Sequence, residues 1–168
     1  MATPGHGASH HAGTSHRYDT SLAWVGSTGV GYEHYDRGHT VQVAPGTALT
    51  VSADPAFRGD AALTNPEALL LAAASSCQLL SFLALAARAR LDVTSYSDEA
   101  SALMPSDDPP MRVTRIELRP HITIRRGEAD AGVLLAKADR LVRLAHEQCF
   151  IANSLIATIE VDPVIDIS

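Results

Sequence analysis

Two spacings of hydrophobic side chains divide this sequence. From Tyr18 to Ser52 apolar residues alternate with polar ones, the period of a half-buried strand. Leu22 and Trp24 share one face of a first strand. Residues 40–43 and 48–52 make two more, joined as a hairpin at Pro45-Gly46. Between them runs GSTGVGYEHYDRGH, whose glycines lack the spacing of a phosphate loop and read as turn residues. The spacing then becomes helical. Asn65 is a good N-cap, Pro66 suits the first helical position and Glu67 complements the dipole of the first turn. A helix from residue 66 to about 90 would be ~37 Å long. Its stretch 68–87, ALLLAAASSCQLLSFLALAA, carries no charge.

Beyond it, VTSYSDEASALM reads as a strand and PSDDPP as a loop. MRVTRIELRPHITIRR is a long extended run with Ile116, Leu118, Ile122 and Ile124 on one face, where Pro120 should mark a bulge or an edge. Residues 130–148 form a second helix, with Leu134, Ala138, Leu141 and Ala145 on its buried stripe and Arg140 and Arg143 outside. Residues 155–161 give a final strand. The order βββαββαβ predicts an α+β fold.

Composition narrows the function classes. The chain has 168 residues, 46% hydrophobic and 19% charged, enough for one domain with a core. Residues 17–168 are expected to form that domain, because residues 1–16 are too rich in Gly, Ala, Ser, Thr and His to bury apolar surface. A net charge of −6 argues against nucleic acid as partner. Two cysteines do not make a secreted disulfide scaffold. The first residues have neither the basic nor the apolar segment of a signal peptide, so a cytoplasmic location is expected. The uncharged stretch has the length of a membrane span, but alanines dominate it and Ser75, Ser76, Cys77, Gln78 and Ser81 occupy its middle. A helix buried on nearly all sides, in a central layer or a subunit interface, is the better expectation, with no membrane partner.

The candidate chemistry rests on Cys77 and Cys149. A thiol amid apolar helix is either inert packing or a nucleophile tuned by its surroundings, and a second thiol just past a helix end has the placement of a resolving partner. No basic residue lies near Cys77 in sequence, so an activating cation must come from elsewhere in the fold. Arg37 and Arg58 are the two candidates, and Glu67 is suited to hold such an arginine through a bidentate pair. Glu67 precedes Cys77 by ten residues, ~15 Å along a straight helix. The two share a site only if the helix breaks or Glu67 comes from a second chain. His34 and His39 lack the ligand spacing of a zinc site, so no metal is expected.

TNPEALLLAAASSC, MRVTRIELRPHITI and AHEQC, in that order, resemble the OsmC/Ohr family of thiol-dependent hydroperoxide reductases over most of residues 18–162. The resemblance implies an intertwined homodimer with two long central helices packed on sheets and active sites at the subunit interface. It implies that Cys77 is the peroxidatic and Cys149 the resolving cysteine, that Glu67 orients the catalytic arginine, and that this arginine is Arg37. It further implies an organic hydroperoxide substrate, an external dithiol reductant of the lipoyl type, and no cofactor. Two departures stand out: the Gly-Gly-Arg-Asp-Gly context of the Ohr branch is absent, and Cys149 is followed by Phe150 where many members carry proline. The rival reading is a non-enzymatic dimer of the same fold that binds a small molecule or senses oxidants.

Overall fold

The computed structural model describes residues 15–168, so nearly all of the tail expected at residues 1–16 lies outside the described residues. The fold is α+β. Strands β1 (Ser21–Ala23), β2 (His39–Ala44) and β3 (Thr47–Val51) form an antiparallel N-terminal sheet. Helix α1 (Pro66–Arg88) follows, capped by the Asn65 side chain, which accepts from the Ala68 amide. Next come β4 (Val93–Asp98), β5 (Ser101–Leu103), β6 (Arg115–Leu118) and β7 (Pro120–Ile124). Helix α2 (Ala131–Glu147), capped by Asp130, precedes β8 (Thr158–Val161) and β9 (Val164–Ile167).

The expected order βββαββαβ therefore gains strands, and register explains how. Sheets β4-β7-β9 and β5-β6-β8 are two halves of one set of extended runs. Arg115 faces Thr158 and, beyond the break, His121 faces Val164 at the same offset. Across the other edge, Ser101 faces Glu117 and Asp98 faces Pro120, again in one register. The interruption sits at Arg119-Pro120. Proline has no N–H for the ladder, and the Arg119 amide donates to the Asp98 carboxylate at 2.7 Å instead of to a strand. The same carboxylate accepts from Ser75 on α1, which ties the helix to the sheet at that point.

The largest hydrophobic core lies between the helices and sheet β4-β7-β9. Phe82 and Ala86 of α1 pack with Ala138, Leu141, Val142 and Ala145 of α2 against Ile122 and Ile124. A second cluster joins Ala74 to Ile116 and Leu118. Arg140 and Arg143 stay outside, as the helical stripe predicted. Within this chain one face of helix α1, Ala74, Gln78, Phe82 and Ala86, is buried, while Leu80 and Leu83 are exposed. It is long and apolar enough to cross a membrane by composition, but it packs against α2 and β4 as a layer of the folded body.

Candidate active site

Cys77 lies midway along α1, on the stripe next to the buried one, and is half-buried. Cys149 follows Gln148, the C-cap of α2, and is only 2% exposed. The long sequence gap between the thiols is closed by α2 packing on α1. In this packing the buried Gln78, beside Cys77 in sequence, donates across to the Val142 carbonyl at 3.2 Å. The chain after α2 then makes a tight turn through Ala152–Ser154. Successive amides of that turn face the two sulfurs: Ile151 N–H donates to Cys77 Sγ and Ala152 N–H to Cys149 Sγ, each at 3.5 Å.

The thiols are driven in opposite directions. For Cys77, burial disfavours the thiolate, but donors at Ile151, Cys149, Phe150 and Ser81 together outweigh it and hold the thiol below its ordinary value. For Cys149, burial raises the value, the Ala152 amide works against that, and the neighbouring Cys77 sulfur adds to the rise. Cys77 is therefore the more readily ionised of the two thiols. Cys77 opens onto a groove of about 850 Å³. Leu80, Ala84, Leu85 and Phe150 line its middle, and Arg88 marks its far end on the helical stripe of Cys77 and Ala84. Phe150 is 80% exposed, an unusual setting for a phenyl ring beside a thiol.

Arg37 lines a different groove, about 410 Å³, with Leu22, Trp24, Tyr35 and Pro66. Its guanidinium donates to the Tyr35 and Tyr32 carbonyls, both at 2.6 Å, and stacks over the two rings at 3.9 and 4.9 Å. Glu67 sits next to Pro66 in the first turn of α1, at the Arg37 end of the helix and away from Cys77. Arg58 is paired with Glu33. Its FRGD context is a tight turn: Arg58 is left-handed at φ 64°, and a Cβ on Gly59 would lie 1.6 Å from the Ala53 carbonyl oxygen. Within one chain the fold brings Cys77 and Cys149 together, and places Arg37 in a second groove whose lining includes Pro66, the neighbour of Glu67. No cluster of histidine, cysteine and carboxylate suited to a metal occurs among the described residues. Sequence reasoning missed Ser81 and the amides of residues 150–152. Ser81 was legible, one helical turn after Cys77; backbone donors carry no residue-type signal.

The sequence pattern of the OsmC-like protein family matches residues 59–164, both thiols and both helices included. The chain belongs to the OsmC-like family. Among solved structures, an OsmC-like protein of unknown function from Vibrio cholerae is 28% identical, with a TM-score of 0.79 over 89% of this chain and 100% of that one. An OsmC-like protein from Mycoplasma pneumoniae is 14% identical, with a TM-score of 0.69 over 91% and 99%. A putative organic hydroperoxide resistance protein from Vibrio cholerae, with captopril in one of its active sites, is 22% identical, with a TM-score of 0.63 over 90% and 93%. No curated protein sequence matches the chain. These OsmC-like relatives share the fold over almost the whole described body, and the thiol turn lies inside the matched region.

Proposed function

We propose that this OsmC-like chain is a cysteine peroxidase that reduces organic hydroperoxides to alcohols. The observation that carries the reading is the turn after α2, whose adjacent amides serve the two thiols, one on each sulfur. Family membership and the organic hydroperoxide resistance proteins among its structural neighbours support it. Cys77 thiolate attacks the terminal peroxide oxygen and the O–O bond breaks. The departing alkoxide takes a proton and leaves as the alcohol, and Cys77 is left as a sulfenic acid. Cys149 sulfur attacks that sulfenic sulfur; its proton leaves with the hydroxyl as water, and a disulfide forms. An external dithiol, of the lipoyl type the family resemblance implies, reduces the disulfide by exchange and becomes a disulfide itself. The apolar middle of the groove fits an alkyl or acyl peroxide better than hydrogen peroxide.

The working form is a homodimer in this proposal. Support comes from the exposed face of α1, where Leu80 is 63% exposed, and from the N-terminal sheet, none of whose residues joins either core cluster. A second copy would set the Arg37 groove over the Cys77 groove, with Glu67 holding the guanidinium and the guanidinium assisting the thiolate. Peroxide consumption with a dithiol present tests the function. Catalytic turnover of alkyl hydroperoxides is expected. A single stoichiometric oxidation that then stops would mark a redox sensor instead.

A further inference from the structure

The carbonyls of the turn after α2 are held by side chains the chemistry above does not use. Asn153 Nδ2 donates to the Glu147 and Cys149 carbonyls, both at 2.9 Å, and the Asn153 amide donates to Cys149 O at 3.0 Å. Ser154 Oγ donates to the Phe150 carbonyl at 2.7 Å, and its amide to Ile151 O at 3.0 Å. In a planar trans peptide the C=O and the following N–H point in opposite directions. Holding Phe150 O therefore aims the Ile151 N–H, the donor that reaches Cys77 Sγ. Holding Cys149 O in the same way fixes the plane of the Phe150 N–H, which adds to the lowering of the Cys77 thiol. The turn's own amides hold Cys149 O and Ile151 O, whereas the recorded donor to Phe150 O is the Ser154 hydroxyl. Asn153 adds a second donor to Cys149 O, and Ser154 supplies the donor to Phe150 O.

We propose that Asn153 and Ser154 are positioning residues: they clamp the carbonyl side of the turn so that its amides point at Cys77. The inference rests on the peroxidase reading only in taking Cys77 as the reacting thiol. It makes backbone donors, set by two small polar side chains, a source of thiolate stabilisation inside one chain. A mobile turn would present the same amides to water for part of the time, and the sulfur would lose their hydrogen bonds.

The test is the rate of Cys77 alkylation by iodoacetamide against pH in the full chain, for wild type, Asn153→Ala and Ser154→Ala, with Cys149 replaced by Ser throughout. Each variant should react roughly three- to tenfold more slowly near pH 7, the effect of weakening one hydrogen bond rather than losing it whole. The rates should converge with wild type above about pH 10, where any thiol is ionised. Convergence separates ionisation from access. Profiles that superimpose on wild type, or that fall by one factor at every pH, overturn the proposal. Ser154 is exposed and its loss leaves no buried cavity, so Ser154→Ala decides the matter alone if Asn153→Ala does not fold. Peroxide turnover by wild type is measured beside it: absent turnover with shifted profiles refutes the peroxidase reading and leaves the clamp standing, and the reverse result does the opposite.

Discussion

The N-terminal sheet and the helical body of this chain carry charge and reactivity in opposite ways. In the sheet, Arg37 is held between two tyrosine rings and two backbone carbonyls, on a surface that adds nothing to either core cluster. In the body, Cys77 lies against a close-packed helix pair and is served by amides from a turn that the same packing brings in. The body contains two neighbouring thiols, one of them half-buried, served by a backbone donor and open to a groove. The sheet contains a cation whose hydrogen bonds go to backbone carbonyls. In the proposed dimer the two regions of different chains would meet.

The largest expected effect lies in the body. Cys77→Ser should abolish peroxide turnover, while Cys149→Ser should allow one oxidation and leave a sulfenic acid at Cys77 that a dimedone-type reagent traps. Equal loss in both without trapping would remove the distinction between the thiols. Packing comes next. Phe82 is fully buried among α2 and β7 residues, so Phe82→Ala should cost about 3–5 kcal/mol of stability in urea unfolding. A cost under 1 kcal/mol would mean that the helix pair is not the core that places the turn.

The smallest expected effect is the one that joins the two regions. Arg37→Ala should slow the peroxide step about tenfold, in keeping with the loss of one charge-assisted hydrogen bond, and Arg58→Ala should change it little, because Arg58 is occupied by Glu33 in a strained turn. Activity that falls on dilution alongside a dimer-to-monomer shift in sedimentation would support a site assembled from two copies. A larger effect at Arg58 reverses the assignment.

Much of the body could be read from the sequence because its signals are local. Asn65 and Asp130 cap the two helices, Pro45-Gly46 turns the hairpin, and the alternation of Ile116, Leu118, Ile122 and Ile124 gives the buried face of one extended run. The break at Arg119-Pro120 was less legible. Pro120 is itself buried in phase with those residues, so the pattern does not change there, and β9 pairs with partners more than forty residues away in sequence. The thiols were legible as candidates, but their opposite ionisation was not. Burial raises Cys149, while the lowering at Cys77 depends on backbone amides of residues 150 and 151, and no residue-type pattern records where an N–H points. Exposure of one face of α1 was also hidden, since an uncharged helix reads the same whether its cover comes from its own chain or another.

The most direct test of the account is mass spectrometry of the protein after one equivalent of an alkyl hydroperoxide, without reductant. A Cys77–Cys149 linkage should form in near-stoichiometric yield and disappear on adding a dithiol. Cys77 found as a sulfinic acid beside an unmodified Cys149 thiol, or both thiols found unchanged, would contradict it.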